Sequence, residues 1–480
     1  MELLKISRPL SPGPLKPSEY AVKPELIEKR AATALPDIVG VRIKDLFPDM
    51  PNPIFPSEMG ISTVRKATEA ALRGINMDMI RPEHSVNILA SHHGFVLLGG
   101  EPYAEMVKTL RDTIYERTGS KDIRLRAGVG LRFRETEEYI ERFKLDEHFG
   151  RGKAIGVAPV DEGIPIETEI GTLYGLKKVY DADWIVHAHN TDVRELHFHR
   201  MVDRVVKPFA MSYARIETRS TYHQDLGPRA ANFVARAIFD SPFVQSKWSF
   251  ACFLSVSPTG IIGVDADNDL YAMNDRVTRL ISKTYGKLMT LLSEIDECIV
   301  VLDSVGPVPY TFAGGTIFAN FCSANIDIFD LDVPVPAYTW YTEAWYDKKN
   351  MPLSQDIVPM NPAIRMLVIN NAWTGYPSEF WAAHIPTVVV GQNMANHFRS
   401  DPQNSKFMDH VVVVDDVLTA VDFAKKAART GKILIFDGAS GGINVSQSLA
   451  ELLVERAPKV ARKVERELMP KWLAQRGLAP

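Results

Sequence analysis

The sequence predicts an α/β protein of two domains, each a wound and mostly parallel sheet flanked by helices, preceded by an extended proline-rich arm. Three observations predict it. From residue 61 onward, short apolar runs alternate with helical stretches of about 10 to 15 residues, the habit of strand-helix-strand units. At 480 residues the chain is too long for one ordinary core. The first 60 residues carry prolines at 9, 12, 14, 17, 24, 36, 48, 51, 53 and 56, a density that excludes regular helices of any length.

Taken in order, the arm over residues 1–60 leaves room for one short helix around Pro24 to Ala32. Such an arm can wrap its own domain or a neighbouring subunit, so a homo-oligomer is compatible with it. In the first domain, residues 61–295, helices are expected at Ser62 to Arg73, at Pro102 to Arg117 with a proline near the first turn, and at Glu135 to Phe143. Strands are expected at Ser85 to Ala90, Ile123 to Ala127 and residues 182–188. Three polar turns follow them: Ser91-His92-His93-Gly94, Gly130-Leu131-Arg132 and His187-Ala188-His189-Asn190. Wound sheets bind their ligands at such carboxyl ends.

A helix at Met273 to Leu292 leads into a strand at Cys298 to Leu302, which places the domain boundary near 295. The second domain, 296–480, repeats the strand habit at Met366 to Ile369, Thr387 to Val390, Val411 to Val414 and Ile433 to Phe436. Its insertion at 307–362 gathers Tyr338, Trp340, Tyr341, Trp345 and Tyr346, enough aromatic surface to close over a substrate. Asp437 to Gly442 falls between a strand and a helix expected to start near Val445. That shape can cradle phosphate on backbone N–H groups at Ser440 and Gly441, or serve as a structural turn.

Composition narrows the function classes. Apolar residues at 46% and charged residues at 24% belong to a globular protein, and a net charge of −4 gives no bulk attraction to nucleic acid or to an anionic membrane. Cys252, Cys298 and Cys322 share no CxxC spacing, so neither a disulfide framework nor a cysteine zinc site is indicated; the first two lie in apolar runs and read as buried thiols. The N-terminus lacks the pattern of a secretory signal, and no run approaches the roughly 20 apolar residues of a membrane span. The expectation is a cytoplasmic protein.

The chemistry concentrates in one segment. His187, His189, His197, His199 and His223 are five of the twelve histidines, all within residues 187–223, with Lys207 among them. Imidazoles serve as general bases and bind nickel, copper or zinc, and a lysine amine can tether a cofactor covalently. His197-Phe198 opens the run, Lys207 follows ten residues later and His223 sixteen after that. In those residues and gaps the chain resembles the nickel-pincer lactate racemase family. The resemblance extends to Asp181 through Val186, to Phe250 through Phe253 with Thr259 to Gly263 as strand-turn-strand, and to Arg126 through Gly130 before Glu135 to Tyr139.

The resemblance implies that Lys207 carries a pyridinium mononucleotide, that His223 ligates nickel, and that His197 takes the proton of a substrate hydroxyl. The cofactor itself would supply two sulfurs and a carbon to the metal, so few protein ligands are expected. Cofactor-synthesis enzymes would be partners, and the reaction would be racemisation or epimerisation of a 2-hydroxy acid, with the aromatic insertion suited to a larger sugar acid. The chain departs from the family at two places. Met201 to Val206 stands where the family has a glycine-rich loop, and Leu131-Arg132 where it has its second histidine. His92, His93 and His189 are therefore the candidates for a second base, and Arg132 or Arg134 for holding a carboxylate. Gln355, in Met351 to Gln355, resembles a family segment near the substrate. Two other readings stay open: a cofactor-less relative using the histidines for an ordinary divalent metal in isomerase or lyase chemistry, and a non-catalytic small-molecule binder.

Overall fold

The computed structural model describes residues 5–10, 32–128, 135–191, 204–221, 231–304, 321, 327, 329–332, 361–372, 385–400 and 405–479. Its strands, in chain order, begin with β1 (Ile6–Ser7) and β2 (Ile38–Arg42). Then come β3 (Ser85–Ser91), β4 (Asp122–Gly128), β5 (Ala154–Val157), the hairpin β6 (Gly163–Thr168) and β7 (Gly171–Leu176), β8 (Trp184–Asn190), β9 (Trp248–Ser257) and β10 (Gly260–Asp267). The last six are β11 (Cys298–Ser304), β12 (Ile364–Ala372), β13 (Thr387–Val390), β14 (Val411–Val414), β15 (Ile433–Phe436) and β16 (Gly442–Ser446).

Two large sheets result, and the fold is α/β with mostly parallel strands flanked by helices. The first has the order β10-β9-β8-β3-β4-β5, parallel throughout except for β10, which returns antiparallel on β9 as the expected strand-turn-strand. The second has the order β1-β2-β16-β15-β11-β12-β13-β14, with a parallel block from β15 to β14 and antiparallel pairs at the other side. Parallel strands covered on both faces need apolar side chains at nearly every position. Valine-rich β13 meets that demand: Thr387–Val390 reads Thr-Val-Val-Val and is buried throughout.

Because side chains alternate across a strand, each sheet divides two cores. Val86, Ile88 and Ala90 of β3, Val186 and Ala188 of β8, and Phe250 and Cys252 of β9 face one core with the helices Ser62–Leu72 and Glu101–Thr118. Leu89, Ile185, Ala251 and Phe253 face the opposite way, into a core shared with Val300, Leu302, Leu367, Ile369 and Leu434 of the second sheet. The helix Leu270–Leu292 lies in that shared core with Val277, Tyr285 and Leu288 buried. The outer face of the second sheet, Ile299, Val301, Val368, Val388 and Ile435, packs on the helix Val417–Ala428.

Described parts of the arm are extended and pack on their own chain: β1 and β2 are strands of the second sheet, and Asn444 of β16 holds Leu10 through two hydrogen bonds of 2.7 and 2.9 Å. The side chain of buried Lys287 ties Asp49 to Glu465, joining the end of the arm to the C-terminal helical region. Residues 442–446 form a strand and the helix begins only at Gln447, so Asp437 to Gly442 turns strand into strand without a helix N-terminus. His187 to Asn190 continue β8 instead of forming a turn, since their backbone keeps pairing with β9. Cys252 and Cys298 are buried as expected, and burial pushes the Cys298 thiol up to about 12. Among the described residues, no helix is long and apolar enough to cross a membrane.

Candidate functional site

In the first sheet the chain lays β4 and β5 on one side of β3 and then returns to place β8 on the other. The strand order therefore reverses between β3 and β8, and the two connections diverge there, leaving a crevice at the strands' carboxyl ends. His92 and His93 follow the end of β3; His189 and Asn190 end β8.

The crevice is held in shape by specific bonds. Tyr103 is fully buried; its hydroxyl accepts from the Ser91 N–H at 3.3 Å and donates to the Ala188 carbonyl at 2.7 Å, fastening the end of β3 to the end of β8. Gly94 is required beside it, because a Cβ there would lie 2.3 Å from the Tyr103 ring. Asn190 adds a second fastening, its Nδ2 donating to the His93 carbonyl at 3.0 Å. The rings of His93 and His189 are then 6.0 Å apart and nearly perpendicular. The Nδ1 side of His189 is turned to the Asn190 backbone, 2.7 Å from its N–H.

The third wall comes from Arg204–Val206, a 3-10 turn, and the one-turn helix Lys207–Ala210. A lysine at the carboxyl end of a helix would be an ordinary solvated residue. The structure instead places Lys207 at the start of a short helix with Pro208 next, and it is only 5% exposed. A proline in the first helical turn loses no needed N–H. Lys207, His93, His189, Asn190 and Ser212 share one cavity with Val205, Pro208, Met211, Phe253 and Val277. Its volume is about 20 Å³, enough for one water. The polar groups thus share a mostly apolar surround.

Other site candidates separate from this one. His92 is buried with its ring 6.2 Å from that of His93, and it faces Tyr139 without lining the cavity. Ser440 and Gly441 lie elsewhere, in the turn from β15 to β16. There the Gly441 carbonyl accepts from the Ile43 N–H at 2.9 Å, and its φ of 74° favours glycine. His197, His223, Arg132, Arg134 and Gln355 lie outside the described residues. So does most of the 307–362 insertion. Among the described residues, no group of three or more His, Cys, Asp or Glu side chains could hold a metal ion.

Sequence reasoning missed Asn190, Ser212 and Phe253 as cavity residues. Asn190 was marked by its place beside His189 at a strand's end, whereas Ser212 and Phe253 carry no local signal. His187, on the same face of β8 as His189, is fully buried; burial pulls its pKa down to about 3, against a smaller opposing effect of the Val205 carbonyl. It is a neutral ring at ordinary pH.

The donor set fits a lysine-tethered nucleotide in its chemistry, because buried Lys207 lines the same cavity as two histidines. A pyridinium mononucleotide is much larger than the cavity volume and would extend beyond these ten residues. No protein-family model matches the chain, and no characterised protein matches it by sequence. Among solved structures, the lactate racemase apoprotein from Thermoanaerobacterium thermosaccharolyticum is similar at a TM-score of 0.40 and 11% identity, covering 78% of this chain and 92% of that one.

Proposed function

We propose that this chain is an isomerase, a racemase or epimerase of a 2-hydroxy acid, whose reacting centre is the crevice between β3 and β8. The observation that carries the reading is the cavity that buried Lys207 shares with His93 and His189 at the strand-order reversal. Inverting a hydroxyl-bearing carbon requires a proton acceptor for the hydroxyl and a place to hold the carbon's hydride, with water kept away.

Lys207 is the residue that would tether a nickel-pincer nucleotide, and when bound that group would supply reversible hydride acceptance with nickel as its metal. The chain's own part follows from the cavity. His189 or His93 takes the hydroxyl proton and returns it, His189 reaching the space from β8 and His93 from the turn of helix after β3. Val205, Met211, Phe253 and Val277 give the space an apolar lining, which disfavours bulk water and favours return of the proton to the substrate. His197 and His223 are the further base and metal ligand that the family resemblance implies.

Intact mass tests the reading. Protein made beside the cofactor-synthesis enzymes is expected to carry an adduct of several hundred daltons, the size of a mononucleotide, and Lys207→Ala to lack it. An unmodified mass together with retained isomerase activity would overturn the assignment of Lys207.

A further inference from the structure

His187 does not line the cavity, yet its hydrogen bonds reach both flanks of the segment that presents Lys207. Its Nε2 lies 3.1 Å from the Val205 carbonyl, two residues before Lys207. A carbonyl can only accept, so Nε2 carries the ring hydrogen. Its Nδ1 lies 3.0 Å from the Tyr213 hydroxyl, six residues after Lys207. That hydroxyl is also 3.0 Å from the Leu89 carbonyl of β3, and the Tyr213 N–H donates to the Pro208 carbonyl at 2.9 Å.

We propose that His187 and Tyr213 are positioning residues: together they fasten the two flanks of the Lys207 turn to β8 and β3 and so fix the amine at the crevice. The inference rests on the reading of Lys207 as the functional amine. Both side chains are fully buried among aromatic rings, Phe253 at 4.9 Å and Phe209 at 5.4 Å from His187. Buried polar groups cost free energy unless bonded, so a pair that served packing alone would be better met by phenylalanines. With a neutral His187, the single Tyr213 hydrogen is donated to Nδ1 or to the Leu89 carbonyl or shared between them, and either bond keeps the phenol between β8 and β3.

The test is reductive methylation of the full-length chain, made without cofactor-synthesis enzymes, with formaldehyde and cyanoborohydride. The Lys207 rate is read by peptide mass spectrometry against exposed Lys66. Tyr213→Phe and His187→Phe should raise the Lys207 rate roughly three- to tenfold, the range set by losing one buried hydrogen bond that restrains local opening. His187→Gln keeps an N–H able to reach Val205 and should stay within about twofold of the unmodified protein. Should His187→Phe fail to fold, Tyr213→Phe decides alone. Equal Lys207 rates across the variants, or a glutamine variant as fast as the phenylalanine variant, would overturn the proposal. Because the rate needs no cofactor, a missing mass adduct would refute the tether and leave this result standing, and the converse also holds.

Discussion

Replacing Gly128 with alanine tests how closely the Lys207 turn is seated on the first sheet. Gly128 ends β4 and is flanked by Ser91 of β3 and Val157 of β5, so its own backbone has little freedom to move. A Cβ there would lie 2.2 Å from the Ser212 carbonyl oxygen and 2.9 Å from its carbon, where ordinary contact begins at 3.4 Å. The turn carrying Ser212, and Lys207 five residues before it, must therefore retreat by about 1.2 Å. Overpacking of this kind costs about 1–3 kcal/mol, partly offset by the lower chain entropy of unfolded alanine, for a net loss of roughly 1–2 kcal/mol. Differential scanning calorimetry should show a lowered midpoint, and methylation of Lys207 should quicken. Gly74→Ala, with nothing within 4 Å of the added carbon, is the control and should do neither. A Gly128→Ala protein that melts and methylates like the parent would refute the close seating of the turn on β4.

Three further outcomes are expected. His187 has its pKa lowered to about 3 by burial, so the unfolded chain binds its proton first as pH falls; the stabilisation is complete above the ordinary imidazole value near 6.5, amounts to a loss on the order of 2 kcal/mol by pH 5, and is gone near pH 3. Denaturation across that window should therefore be flatter for His187→Gln, and an unchanged slope would contradict a buried neutral ring. Lys287 is fully buried, but Asp49 and Glu465 are each more than two-fifths exposed and can regain water; Lys287→Ala should cost about 2–4 kcal/mol through the cavity left behind, and Lys287→Met well under half of that. A methionine variant as unstable as the alanine variant would make the ion pairs the dominant effect. Once a substrate is found, His189→Ala should lower turnover by about 10²–10⁴, the usual contribution of a general base, while His92→Ala, outside the cavity, should change it little; steady-state kinetics with the order reversed would move the site toward His92.

Much of the strand and helix succession was legible in the residues themselves. Thr387–Val390, Val411–Val414 and Ile433–Phe436 occur at the expected bounds, and Ser62–Leu72, Glu101–Thr118 and Glu135–Arg142 within a residue of theirs. Continuous apolar runs and 3.6-residue periodicity are local signals, and they survive whatever the strands pack against. His189 and His93 were legible as strand-end candidates, and Lys207 by its spacing in the histidine segment. Tertiary structure alone decided that β8 lies beside β3, which creates the crevice, because strand order is a long-range pairing that no local pattern encodes. It also decided that β1, β2 and β16 join the second sheet, that His187 belongs to a strand, and that Lys207 is enclosed. Those outcomes depend on which surface each residue meets: a polar side chain is buried when distant parts of the chain supply its hydrogen bonds, as Val205 and Tyr213 do for His187.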